Sequence, residues 1–338
     1  MNTKSTETPP VCSYEGSDYQ RTFWDSGERA YEDAVEQIAL KRLLTKPGKL
    51  LLELGAGAGR NTPRYTGFER VVLLDYSRTQ LLQARERLGE DPRYLFVAAD
   101  IYKLPFVDGL FDSATMIRTL HHMAQPGLAL ASIRRVLSQD AQFLLEFANK
   151  RNLKSILRYL SGRQKWNPFS PEQVEFAELN FDFHPKTIRR LLKESRFSIE
   201  KQLNVSQFRV AWLKRHVPLK ALVALDSAWQ WTGAFAQYAP SIWTLAAALG
   251  ASPIPALGSF FACPACGSTR LSRIGTDERE LLEYVPSHFP RASPDARGFA
   301  DRIGWPSGSR WWSCMSGRSR AAGPARRSSS RRCRARRS

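Results

Sequence analysis

The sequence predicts an α/β protein with a doubly wound, mostly parallel sheet and helices on both faces. Two observations predict it. Short, continuous apolar runs recur along residues 50–147, separated by segments of helical period. Runs of that kind describe strands buried on both faces, joined by crossover helices. The first run also ends in a cluster of glycines that opens toward a helix, as a strand does at a ligand-binding turn.

Each element has its own signal. Tyr19 to Leu44 reads as helical, with Ala30, Ala34, Ile38 and Leu43 near helical spacing, and Pro47-Gly48 ends it. Leu50 to Leu54 is the first strand and Val71 to Leu74 the second. Ser77 caps a helix with Leu81, Leu82, Ala84 and Leu88 on one face. Leu95 to Val97 and Ser113 to Ile117 follow as strands, then a helix with Leu130, Ile133, Val136 and Leu137 inward, then Phe143 to Phe147. Residues 151–250 extend the domain as a substrate or cap region. Pro185 starts a basic helix, Phe197 to Leu203 is strand-like, and 217–249 reads as helical with breaks. Residues 1–18 form a polar leader without the apolar run of a signal peptide, so the cytoplasm is the expected location.

Composition narrows the function classes. Hydrophobic residues make up 43% and charged residues 24% of 338, which excludes a wholly disordered chain. The net charge of +18 suggests a polyanion partner until its position is read. Residues 301–338 hold eleven arginines against one aspartate, a net +10, and the first 300 residues carry the remaining +8. The basic stretch 273–338 is rich in Ser, Gly, Ala and Pro and is expected to be disordered, whether it is a nucleic-acid or lipid tail or the product of a shifted reading frame. Nucleic acid is therefore not an expected partner of the core. Residues 227–269 carry no charge, but Gly and Pro interrupt them, so no transmembrane helix is expected. Five cysteines suggest no disulfide framework. Cys263-Pro-Ala-Cys266, within 251–272, is half of a zinc ribbon. The second C-x-x-C that a tetrahedral site needs is missing, so no metal is expected.

The segment that carries chemistry is Glu53-Leu54-Gly55-Ala56-Gly57-Ala58-Gly59-Arg60. Glycines let the backbone turn tightly and approach a ligand closely. A dinucleotide fingerprint would place its third glycine at position 60, which is Arg, so the spacing argues against NAD or FAD. Asp75 ends the second strand, where a carboxylate can accept both ribose hydroxyl protons. Asp100 ends the third, where it can accept from an adenine amine while Ile101 faces the ring. Together they describe an adenosine-type ligand with no pyrophosphate.

In these segments the chain resembles the class I S-adenosylmethionine-dependent methyltransferases, most of all the small-molecule and lipid-quinone type. The resemblance covers about residues 45–150, and more loosely to about 245. It is carried by LLELGAGAGR, VVLLDYS, FVAADIYKLPFVDGLFDSATMIRTLHHM and the helix ending in IRRVL. It implies a Rossmann-like fold with S-adenosyl-L-methionine as cofactor. The implied cofactor-binding set is Glu53, Gly55, Ala56, Gly57 and Gly59 at the methionine end, Asp75 and Tyr76 at the ribose, Asp100 and Ile101 at the adenine, and Arg118 near the sulfonium. The family's frequent Gly-Gly turn before the fifth strand is Ser138-Gln139-Asp140-Ala141 here.

Methyl transfer from a sulfonium needs alignment and a dry pocket, and a base only when the acceptor must lose a proton. His121 and His122 are the candidates for that base. Tyr19, Trp24 and Tyr31 are candidates to close over the cofactor or to pack as core. Glu175, Glu178 and His184 are candidates for substrate contacts or parts of a solvated connector. The expected function is methyl transfer to a small or lipid-like acceptor. An RNA or protein methyltransferase and a non-catalytic S-adenosylmethionine-binding module are the other readings.

Overall fold

A computed structural model describes residues 9–18, 20–25, 27–250, 259–269, 282–283 and 311–313. Its centre is a sheet in the order β3 (Tyr94–Ala98), β2 (Phe68–Asp75), β1 (Gly48–Leu54), β4 (Phe111–Met116), β5 (Leu137–Ala148), β9 (Ser241–Ala248), β8 (Phe197–Val205). The first five strands pair in parallel, and β9 runs antiparallel to both its neighbours. The chain therefore winds outward from β1 in both directions, which places a crevice where the strand order reverses, between β1 and β4.

The expected layers form, but on the first helix the buried face is shifted: Ala30 is exposed and Ala34 and Ile38 are only half-buried, and Leu82 of the next helix is exposed. Leu51 to Leu54 and Val71 to Leu74 are almost wholly buried, because both faces of the sheet are covered. α1 (Ala30–Leu43) buries Val35, Ala39 and Leu43, and α2 (Arg78–Leu88) buries Leu81 and Ala84. Both pack in a second apolar cluster, which includes Val71, Leu73 and Phe96 on the same side of the sheet. α3 (Pro126–Val136) and α5 (Pro185–Glu194) bury Leu130, Ile133, Ile188 and Leu192 in the larger cluster. Ser77 caps α2 by accepting from the Gln80 N–H at 3.2 Å, as its position predicts. Asp140 adopts φ 59°, the left-handed conformation that the more usual glycine supplies freely.

Two expectations are corrected. Residues 241–248 form a central strand, β9, instead of the end of a broken helix; only α7 (Leu219–Trp229) and the turn Gln230–Ala234 are helical there. A buried Ala- and Leu-rich run does not distinguish helix from strand by period alone. The polar leader packs on the body where it is described: Val11 bridges to Met123, and the Glu15 carboxylate accepts from Ser77 and Thr79 at the start of α2. Within the tail, β10 (Leu282–Glu283) and β11 (Trp311–Ser313) add to the sheet beside β3, so these two pieces are regular. The rest of the expected disordered tail lies outside the described residues. Cys12 is disulfide-bonded, a bridge that the cysteine spacing did not suggest.

In the half ribbon, Phe260 and Phe261 pack against Phe106, and the turn that follows folds around Cys263. The N–H groups of Ala265 and Cys266 both donate to Cys263 Sγ at 3.3 Å. No group of three or more potential metal ligands occurs among the described residues.

Candidate functional site

A crevice opens at the C-terminal ends of β1 to β4. Its lining includes Glu53, Gly55, Ala56, Gly57, Asp75, Tyr76, Asp100, Ile101, Arg118 and His122. Glycine geometry explains its floor. Gly55 has φ 68°, and a Cβ there would lie 2.2 Å from Thr119 Oγ1. The turn after β1 therefore runs directly against the turn after β4, which no side chain at position 55 would allow. Gly59, with φ 71°, is tight against Leu88 and Ala84 of α2 and does not face the crevice. Of the three glycines, 55 and 57 line it and 59 packs the helix behind it.

Asp75 organises the loop. One carboxylate oxygen accepts from the Gly57 N–H at 2.8 Å and the other from the Ser77 N–H at 2.9 Å. Burial raises its pKa, and the backbone donors oppose the rise. Asp100 accepts from the Tyr102 N–H at 2.8 Å, and burial raises it too. Each acid keeps lone pairs beyond these bonds, since a carboxylate offers about four acceptor directions.

Glu53 lies deeper. It accepts from Thr62 Oγ1 at 2.6 Å and Tyr65 Oη at 3.2 Å, and Tyr65 Oη accepts from Thr115. Burial pushes Glu53 up to about 7, against the pull of those donors. Behind it sits a charge network. Glu36, on α1, accepts from Arg118 and Arg60. Burial works to raise its carboxyl, but the two guanidiniums overcome it and hold the group at about 2. Arg118 has φ 57°, and its N–H donates to Glu146 of β5 at 2.9 Å. This backbone turn faces the crevice.

Trp24 forms part of the roof, on the turn Gln20–Trp24. The Arg60 guanidinium lies 3.6 Å from its ring centroid and Arg118 lies 5.3 Å away. Tyr31 instead packs as core: its hydroxyl donates to Asp226 at 2.6 Å. Tyr19 lies outside the described residues.

The two histidines differ. His122 lines the crevice, but Nδ1 is 3.1 Å from the Leu179 carbonyl and Nε2 is 3.1 Å from the Tyr14 hydroxyl. Burial pushes it down to about 4. His121 tilts over it at 3.9 Å between centroids and stands outside the lining. Burial holds His121 well below the usual imidazole range, with help from His122, Arg118 and Arg209. Of the connector residues, Glu175 accepts from the Leu179 N–H, and His184 caps α5 through Nδ1. Glu178 is exposed.

Sequence reasoning missed Tyr14, Gln20, Arg60, Asn61, Tyr65, Gln80 and Thr119 in the lining. Arg60 carried the one usable signal, a charge placed directly after the glycine turn.

The crevice fits an adenosylated sulfonium. Two strand-end acids with spare acceptor capacity and an apolar Ile101 suit a nucleoside. Glu53, which lines the crevice, suits the amino-acid end of such a ligand.

The family model described as a methyltransferase domain matches residues 52–145. The demethylmenaquinone methyltransferase of Clavibacter sepedonicus is 33% identical over 115 residues, covering 33% of this chain and 47% of that protein. The 2-phytyl-1,4-naphtoquinone methyltransferase of Trichormus variabilis is 31% identical over 173 residues, covering 42% of this chain and 76% of that protein. A putative S-adenosylmethionine dependent methyltransferase from Listeria monocytogenes aligns in structure with a TM-score of 0.49 at 16% identity, covering 65% of this chain and 100% of that one. The chain spans less than half the length of the first curated relatives it matches: 34%, 47% and 43%.

Proposed function

The chain belongs to the class I S-adenosylmethionine-dependent methyltransferases, and from that premise we propose that it methylates a small, lipid-like acceptor. The observation that carries the cofactor half is the crevice itself, with Asp75 half-buried at the end of β2 and tied to the glycine loop at Gly57. Asp75 and Tyr76 would hold the ribose. Asp100 and Ile101 would hold the adenine. Glu53, with Gly55, Ala56 and Gly57, would hold the methionine end, and Gly59 would set the loop from behind.

Bound S-adenosylmethionine supplies a methyl group already activated on sulfur. The protein's own work is to bind, align and exclude water. Trp24 covers the crevice, and Arg60, itself paired to Glu36 and Asp33, braces the ring. The Arg118 backbone, fixed by Glu146, shapes the floor beside the reacting centre. A base is needed only for an acceptor that loses a proton. Neither histidine is in place as it stands: both nitrogens of His122 are engaged and His121 is outside the crevice lining, so a proton-transfer role for either requires the ring to shift.

A lipid-like acceptor is supported by the quinone-methylating relatives and by the uncharged, Trp-containing segment 227–249. Incubation with labelled S-adenosylmethionine and a fractionated cell extract tests it. Label should enter the organic-soluble fraction. Label confined to RNA or protein would replace this reading with the macromolecular one, and cofactor binding without any transfer would leave a binding module.

A further inference from the structure

The sheet edge that carries the crevice continues past β5 into a surface of different chemistry. α4 (Leu153–Leu160) follows the C-terminal end of β5, and the turn Gln230–Ala234 precedes β9, whose Ser241 pairs with Ala148, the last residue of β5. The two segments meet there. The Leu153 N–H donates to the Tyr238 carbonyl at 2.9 Å, and the Asn149 amide donates to the Gln237 and Ala239 carbonyls.

Leu153, Leu157 and Leu160 recur at helical spacing and share one face of α4. A helix of a globular protein normally turns such a face inward. Here the three are 56%, 58% and 70% exposed, and Ser155 is the buried residue of the helix. In the turn that leads to Tyr238, Trp231 and Phe235 meet edge to face at 5.8 Å between centroids and are 59% and 80% exposed.

The stretch of chain that carries α4 has charge of one sign. Between Glu146 and Glu172 the chain carries six cations and no acid. Lys154, Arg158, Arg163 and Lys165 are exposed and enter no ion pair among the described residues. A nucleic acid would use the cations but not the leucines, and the centre of a protein interface is poor in lysine. Exposed leucines and aromatics bordered by unpaired cations match the boundary between anionic headgroups and acyl chains.

We propose that α4 and the turn Gln230–Ala234 dock this protein on an anionic lipid bilayer, with the leucines, Trp231 and Phe235 inserted and the cations on lipid phosphates. Docking would bring the C-terminal sheet edge, and so the crevice, toward the bilayer. The inference goes beyond the acceptor reading, and its test measures binding instead of turnover.

Co-sedimentation of the full chain with phosphatidylcholine vesicles, with and without about 30 mol% phosphatidylglycerol, is the experiment. The arginine-rich residues 301–338 also attract anionic vesicles, so the deciding variant keeps the charge: Leu157→Ser, Leu160→Ser, Phe235→Ser. Wild type should partition onto the anionic vesicles, and the triple variant should lose about tenfold of that partitioning. Lys154→Gln, Arg158→Gln should lose severalfold, with both variants keeping the wild-type heat of cofactor binding. Partitioning of the triple variant equal to wild type would assign binding to the tail and overturn the proposal. A wild-type dimer that the triple variant dissolves would overturn it as well, making this face a contact between copies.

Discussion

The two halves of the C-terminal sheet edge are built by different means. Around β1 to β3, the crevice is made largely of backbone: glycines in left-handed conformations, N–H groups, and carboxylates at strand ends that grip those N–H groups. Beyond β5, the surface is made of side chains on a short helix and a turn, where the leucines of α4 and Trp231 and Phe235 point outward. The first half has little freedom to vary, because a Cβ or a lost carboxylate breaks a local geometry. The second can change its side chains without disturbing the sheet. The cofactor half therefore carries the constraint of the reaction, and the far half carries the proposal for where the protein docks.

Changes on the two sides should separate cleanly, and the largest effect belongs to the crevice floor. Gly55→Ala places a Cβ against Thr119 at a positive φ. It should cost about 2–4 kcal/mol of stability by chemical denaturation and weaken cofactor binding. A wild-type denaturation midpoint would show that the two turns can move apart. Asp75→Ala should weaken cofactor binding by roughly 1.5–3 kcal/mol in calorimetry, the scale of hydrogen bonds to a charged group. Trp24→Ala should cost about 0.5–2 kcal/mol of cofactor affinity, through loss of the roof that Arg60 braces. An unchanged affinity would make Trp24 a passive neighbour.

The pH dependence sharpens the comparison further, because burial displaces Glu53 on the cofactor side. Glu53 has the ordinary carboxyl value of 4.5 when unfolded and about 7 when folded. The unfolded chain therefore gives up its proton first, and stability from this group falls as pH rises from about 4.5 to about 7. Glu53→Gln should remove that part of the slope in denaturation curves recorded across the window. An unaltered slope would place the titration elsewhere. His122 acts in the other sense: with a folded value of about 4, its contribution is lost as pH falls below about 6.5.

What was legible in the sequence follows the same division. The glycine turn, Asp75 and Asp100-Ile101 were readable because each answers to a constraint within a few residues of chain. The roof and the back of the crevice were not. Tyr14 reaches His122 across 108 positions, and Tyr31 meets Asp226 across 195. Such partners leave no local pattern. Ser241 to Ala248 falls in a stretch that reads as helical with breaks, because a buried run of small and apolar residues carries no period of its own; pairing with β5 and β8 makes it a strand. His121 and His122 were equivalent as letters, and only the Leu179 carbonyl and Tyr14 hydroxyl distinguish them.

The central claim is that the crevice at the ends of β1 to β4 binds S-adenosylmethionine through the strand-end acids. Calorimetric titration of the full chain with S-adenosylmethionine, in wild type, Asp75→Ala and the Leu157/Leu160/Phe235 triple serine variant, tests it most directly. The account predicts one site per chain, weakened about tenfold or more by Asp75→Ala and untouched by the triple variant. No heat of binding in the wild type, or equal affinity in wild type and Asp75→Ala, would contradict it.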